Sequence, residues 1–200
     1  MATVRAAGIT ALHGLLPDSQ GRLAIETVDI NFPDQVRALH ARLHGQVFDL
    51  LFVNAGVKNA DEETIADVST DEFVRVMVTN ALSPMRVVET LQDLVMSTGT
   101  IGVMSSGQGS VANNLSGGYE VYRASKAALN TLMRSFAARH SGDARTLLLM
   151  APGWVRTDMG GANAHLSIED SIPNLVDTIA AHKSKGGLQY LDYLGRTVAW

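Results

Sequence analysis

Strand-like and helix-like runs alternate along the whole chain, and this alternation limits the possible folds more than any other feature. Residues 22–30 read as a strand, with Leu23, Ile25 and Val28 among its apolar positions and Asp29, Ile30 and Asn31 at its end. Pro33 and Asp34 open a helical stretch in which Val36, Leu39 and Leu43 share one face. Gly45 stops it, in the position where glycine is favoured. Residues 47–53 are almost continuously apolar, as in a parallel strand covered on both sides. A polar loop follows, then a predicted long helix over 71–95 interrupted by Pro84. A strand is predicted over 100–104, a helix over 119–140 and a buried strand over 146–150. Ser167 and Asp170 match a capping box before a further helix. Residues 188–200 read as a short strand with a turn at Leu194 and Gly195. Strands separated by helices of this length predict a single α/β domain with a doubly wound parallel sheet.

Composition narrows the function classes. With 46% hydrophobic and 18% charged residues the chain is too apolar for disorder. A chain of 200 residues buries about 70% of its unfolded surface, enough for a sizeable core. No apolar run approaches the ~18 residues of a membrane span, and residues 1–10 carry no secretory pattern. Zero cysteines exclude disulfides and thiolate chemistry. The net charge of −4, with no basic block, argues against nucleic-acid and anionic-membrane partners. No repeat or proline-rich linker marks a domain boundary. A soluble, cytoplasmic domain is expected.

In open α/β sheets ligands bind beyond the carboxyl ends of the strands. The loops at those ends contain Asp29-Ile30-Asn31, Asn54-Ala55-Gly56, Ser105-Ser106-Gly107 and Ala151-Pro152-Gly153. Ordinary turns also favour such residues. Tyr122 and Lys126 are the sharper signal. Four apart on a helix, they project from one face. An ammonium beside a phenol favours the phenolate and would lower its pKa towards the range useful for acid–base work. Ser105 or Ser106 could donate to a carbonyl oxygen. A tyrosine and a lysine on a solvated helix face is the plainer reading of the same spacing.

Tyr122-Arg123-Ala124-Ser125-Lys126, the Asn54-Ala55-Gly56 turn, Asn80, Ser106, and Pro152-Gly153 followed by Thr157 together resemble the short-chain dehydrogenase/reductase family. Residues 105–129 and 152–161 most resemble the branch with bacterial C-factor and the sniffer-type carbonyl reductases. The resemblance implies a Rossmann-like fold and assigns Tyr122 the proton of the substrate oxygen. It gives Ser106 the task of holding that oxygen, with Ser105 as the alternative. It gives Lys126 the nicotinamide ribose and the tuning of Tyr122. It gives Asn80 a relay water, although Asn80 could be a packing residue near the irregularity at Pro84.

The same resemblance places Asp29 and Ile30 at the adenine, Asn54, Ala55 and Gly56 along the ribose, and Pro152, Gly153, Val155 and Thr157 at the nicotinamide carboxamide. Asp29 could equally be a turn former. Arg5 lies where the family reads the adenosine ribose, and a guanidinium there favours NADP(H) over NAD(H) by pairing with a 2′-phosphate. A surface charge is the other reading of Arg5. The family's glycine-rich phosphate loop has no counterpart in the sequence. Its place would precede Met1, with a first strand and helix that this chain is expected to lack.

Two further patterns point nowhere. Gly107, Gly109 and Ala112 match a dinucleotide fingerprint in form, but Asn113 to Gly118 is loop-like where a helix is required. His40 and His44 lack the glutamate and third ligand of a zinc site, so no metal is expected. The leading expectation is an NADP(H)-dependent oxidoreductase acting on a carbonyl or alcohol of a small substrate, as a homodimer or homotetramer. The alternatives are a signalling or binding protein on the same scaffold and an inactive fragment.

Overall fold

The computed structural model describes residues 1–5, 8–60 and 63–200. Its strands are β1 (Ala2–Val4), β2 (Ile25–Thr27), β3 (Phe48–Val53), β4 (Val95–Met104), β5 (Thr146–Ala151) and β6 (Gly187–Asp192). The main helices are α1 (Pro33–Arg42), α2 (Thr70–Met77), α3 (Ser83–Leu91), α4 (Glu120–Arg139) and α5 (Ile168–Ala181). All strand pairings are parallel, as the alternating pattern predicts.

β5 shows why the sheet has helices on both sides. All six of its residues are buried. Leu147, Leu149 and Ala151 join one core cluster, together with residues of α1, α3 and α4. Leu148 and Met150 join a second cluster with Leu175 of α5 and Leu191 of β6. Successive strand residues point to opposite faces, so a strand between two helix layers is apolar along its length, and the one polar residue of β5, Thr146, is satisfied by the Gly186 amide at 2.9 Å.

The ladder is divided. Four strands lie in the order β3-β4-β5-β6, while β1 and β2 form a separate two-stranded sheet. Among the described residues, β1 pairs with β2 alone and β3 with β4 alone. The outer edge of β3 is therefore open, with Leu50 42% and neighbouring Val47 68% exposed. The parallel α/β architecture is as expected, with its sheet in two parts because no hydrogen bonds among the described residues bridge β1 and β3. A shared helix layer joins them: Val28, just after β2, packs in one cluster with Val36 and Leu39 of α1 and Val87 and Val88 of α3.

The helix predicted over 71–95 needs correcting. α2 and α3 are joined by a π-helical turn over Val78–Leu82, and a 3₁₀ turn over Gln92–Leu94 ends the helical region. Pro84 has no N–H to return to the preceding turn, and the widened turn just before it accommodates that loss. β4 begins at Val95 rather than at residue 100, because Val95 already pairs with Phe48 before the register shifts. Gly99 lies at that shift, where a Cβ would come within 2.9 Å of the Asp49 carbonyl oxygen. The strand signal over 22–30 contracts to Ile25–Thr27. The capping box forms as predicted, with the Ser167 hydroxyl accepting from the Asp170 amide at 3.0 Å.

Candidate functional site

β3, β4 and β5 are adjacent parallel strands, so their C-terminal loops share one end of the sheet. α4 runs beside that end and presents Tyr122, Lys126 and Asn130 at successive turns. Lys126 is 2% exposed, and its Nζ donates to the Met104 carbonyl at 2.9 Å. Gly56 comes from the loop after β3. A Cβ there would lie 3.4 Å from both Lys126 Nζ and Asn80 Oδ1, so these three residues meet. Burial pulls the Lys126 ammonium down from its usual value to about 8.

Asn80 sits in the π-helical turn and is fully buried. Its Oδ1 accepts from the Val57 amide at 2.8 Å, and its Nδ2 donates to the Val57 carbonyl at 2.7 Å and to Ser125 Oγ at 2.9 Å. Ser125 passes the chain on to the Tyr122 carbonyl at 2.7 Å. Both amide protons of Asn80 are thus spent within the protein, and its side chain ties the loop after β3 to the tyrosine-bearing helix.

The two serines differ. The Ser105 hydroxyl is buried and donates to Asn130 Oδ1 at 2.6 Å, so its proton is committed. Ser106 Oγ accepts from the Gln108 amide at 3.1 Å, which leaves its own proton for another acceptor. Burial pushes the Tyr122 phenol above its ordinary value, and the Ser106 side chain beside it pulls the other way. This corrects the expectation that Lys126 lowers the phenol's pKa. Lys126 Nζ lies 5.8 Å from the centroid of the Tyr122 ring and makes its hydrogen bond to the Met104 carbonyl.

The other candidates are spread more widely. Asn54 and Ala55 are exposed beyond β3. Pro152 accepts from the Ser171 hydroxyl at 2.6 Å, and Gly153 adopts φ +82°, a conformation glycine favours. Val155 is bridged to Leu166, and the Thr157 hydroxyl accepts from Gly160 at 3.1 Å. Arg5 is exposed just after β1. Asp29 accepts from the Asn31 amide at 2.9 Å, the hydrogen bond of an Asx turn, and Ile30 packs against the main core. Asn31 Oδ1 in turn accepts from Ser83 Oγ at 2.9 Å, tying the end of β2 to α3. His40 is paired with Asp93 at 2.9 Å.

The structure therefore gathers Gly56, Asn80, Ser106, Tyr122 and Lys126 at one end of the four-stranded sheet. It leaves Arg5, Asp29 and Ile30 on the other sheet. Two participants, Asn130 and Tyr190, escaped the sequence reading. Asn130 follows Lys126 at the next helical turn, a spacing that could have flagged it. Tyr190 lies 84 residues from its partner Ser106 and had no local signal.

These groups fit a nicotinamide nucleotide. Gln108 Oε1 is buried with no hydrogen-bond partner among the described residues, an acceptor beside Ser106 that calls for a donor. Gly56 keeps open the space beside Lys126 that a side chain would fill.

Known proteins bear on the same region. The family described as Enoyl-(Acyl carrier protein) reductase matches residues 9–184. A protein from Burkholderia multivorans, solved with bound NADP and described as a short-chain dehydrogenase/reductase, is 60% identical. It superposes with a TM-score of 0.97 over 99% of this chain and 87% of its own. This chain belongs to the short-chain dehydrogenase/reductase family. Within reach of this short-chain dehydrogenase/reductase, C-signal of Myxococcus xanthus is 34% identical over 154 residues, 76% of this chain and 92% of its own. The carbonyl reductase Sniffer of D. melanogaster superposes with a TM-score of 0.85 at 28% identity, covering 99% of this chain and 86% of its own.

Proposed function

We propose that the protein is an NADP(H)-dependent oxidoreductase that interconverts the carbonyl and alcohol forms of a small substrate, with Tyr122 as the acid–base group. The meeting of Ser106, Tyr122 and Lys126 at the end of β4 carries this reading. NADPH, when bound, would supply the hydride for the carbonyl carbon. Tyr122, kept neutral by its burial, gives its phenolic proton to the oxygen as charge develops there. Ser106 donates its uncommitted hydroxyl proton to the same oxygen, an oriented dipole where charge develops.

Lys126 has two N–H groups beyond the one held by Met104, and these would grip ribose hydroxyls. Asn80 acts by holding the loop of Asn54, Ala55 and Gly56 against Lys126. Pro152, Gly153, Val155 and Thr157 would line the nicotinamide side, while Asp29 and Ile30 would meet the adenine. Arg5 favours NADP(H) over NAD(H), since its guanidinium suits a 2′-phosphate. The NADP bound to the Burkholderia multivorans relative supports NADP as a ligand of this site.

No helix among the described residues is long and apolar enough to cross a membrane, and a cytoplasmic location agrees with that. A groove lined by Met77, Val78, Ala81, Leu82, Ala128, Thr131 and Leu132 supports pairing of two copies through α2, the π-helical turn and α4. The test is NADPH oxidation against a panel of carbonyls, monitored by absorbance. Retention of full turnover by Tyr122→Phe would defeat the assigned mechanism. A second reading, a signalling or binding protein on the same scaffold, draws on the 34% identity to C-signal. Binding of NADPH without turnover of any carbonyl would favour it.

A further inference from the structure

Ser106 is useful to the proposed reaction only if its hydroxyl is aimed, and within its own turn the one hold on the side chain is the Gln108 amide, which donates to Oγ at 3.1 Å. It is the second residue beyond β4, with extended backbone at φ −165° and ψ 149°, before a single 3₁₀ turn over Gly107–Gly109. Two of those three residues are glycine, so the turn has little stiffness of its own. Its rigidity has to come from outside.

The structure supplies it from two elements. Tyr190, in β6, is 2% exposed and donates its phenolic proton to the Ser106 carbonyl oxygen. That carbonyl also accepts from the Gly109 amide at 2.9 Å, so both its lone pairs are occupied. Asn130, 3% exposed on α4, accepts from Ser105 Oγ at 2.6 Å and donates to the Gly109 carbonyl at 3.2 Å. The residues on either side of the 106–108 segment are thus clamped to the helix that carries Tyr122, and Ser106 itself is clamped to the sheet. The ring of Tyr190 is held in turn against Trp200, with centroids 5.5 Å apart. Trp200 accepts from the Ala112 amide at 2.9 Å, further along the same loop.

We propose that Tyr190 is a positioning residue: its hydrogen bond to the Ser106 carbonyl, with Asn130 as the second anchor, fixes the direction of the Ser106 hydroxyl towards Tyr122. This rests on the proposed oxidoreductase reading for its catalytic consequence, though not for its structural one. Burial raises the Tyr190 phenol, so it stays protonated and remains a donor across the neutral range. A tyrosine buried for packing alone would serve as well without its hydroxyl. The contrast between Tyr and Phe at this position therefore separates the two roles.

The experiment compares wild type, Tyr190→Phe, Ser106→Ala and the double variant. Tyrosines labelled with ¹³C at Cζ report each phenol's titration by NMR, and the chain's four tyrosines are assigned by single Phe substitutions. Ser106→Ala should raise the Tyr122 titration midpoint, because the hydroxyl that favours the phenolate is gone. Tyr190→Phe should raise it in the same direction, and the double variant should match Ser106→Ala alone. In carbonyl reduction, Tyr190→Phe should lower kcat by on the order of 10-fold, the size of one lost hydrogen bond, with KM for NADPH unchanged. In the Ser106→Ala background the same substitution should change kcat by less than about 2-fold.

A Tyr122 midpoint that does not move in Tyr190→Phe would overturn the proposal. So would kcat effects of Tyr190→Phe and Ser106→Ala that simply multiply. Absence of turnover on every carbonyl would count against the proposed reaction only, since the titration reads the coupling without substrate.

Discussion

The loop after β4 and the loop after β2 both leave the end of a parallel strand, yet they are held very differently. At the end of β4 the loop is gripped by buried side chains from two other elements: Asn130 holds Ser105 and Gly109, and Tyr190 holds Ser106. Behind it, β4 pairs on both edges, and Ile101 and Val103 are fully buried. At the end of β2 the turn carries its own hydrogen bond, Asp29 accepting from Asn31 two residues on, with Gln35 of α1 and Ser83 of α3 as outside contacts. β2 has three residues, and its partner β1 has three. Stability is spread unevenly over a fold, and the strands under the reacting groups lie at the stable end. Geometry is most tightly specified where the proposed proton transfer needs it. The region assigned to the adenosine end of the cofactor is held by fewer interactions.

The sharpest test of that contrast is chemical. Tyr122→Phe should lower carbonyl reduction by about 10²–10⁴-fold with NADPH affinity retained, whereas Asp29→Ala should alter affinity and leave the chemical step intact. Single-turnover kinetics with a separate binding titration resolve the two. Next comes packing. Leu149→Ala, at a fully buried position in β5, should cost about 2–5 kcal/mol in urea denaturation, and Ile25→Ala in the half-buried β2 less than about 2 kcal/mol. Equal losses would mean that the two sheets open as one unit.

A third effect lies in the pH dependence. The Lys126 amine is about 8 when folded and returns to its ordinary value near 10.5 when unfolded. Between those values the unfolded chain holds a proton that the folded one has released, so stability should rise with pH through that window. The difference is worth about 3 kcal/mol. Lys126→Met should flatten the rise and stabilise the protein at pH 7 by about 1–3 kcal/mol, measured by denaturation across pH. The smallest effect is at the β2 end. Arg42 and Glu26 pair at 2.9 Å with both side chains partly exposed, and Glu26→Gln should change stability by less than about 1 kcal/mol.

Sequence pattern was most informative where each element is covered on both sides. The run from Thr146 to Met150 reads as a buried strand, one residue short of the observed β5, and α1 and α4 showed themselves through spacing and flanking glycines. Pattern failed where one element borrows its form from another. Residues 96–99 fall between the predicted helix and strand, yet β4 passes through them because Gly99 lets the Asp49 carbonyl approach. The division into two sheets was illegible because periodicity identifies strands without saying which pair. Among site residues, Tyr122 and Lys126 were legible from spacing, while loop position pointed to Ser105 or Ser106 and only the family resemblance favoured Ser106. The phenol's raised pKa was not, since burial is a property of the assembled core. Tyr190 was invisible for the same reason.

The entry to α4 has a consequence for Tyr122 itself. Gly117, Gly118 and Tyr119 are three successive residues in left-handed backbone, and the Arg123 guanidinium holds the Gly117 and Gly118 carbonyls from within the helix. A helix turns about 100° per residue, so where it starts decides which way every later side chain faces. A start displaced by a single residue would swing the phenol by about that angle, out of reach of Ser106. The left-handed hinge thus works as an angular index for the helix, and a glycine replaced there would be felt first as a misdirected tyrosine.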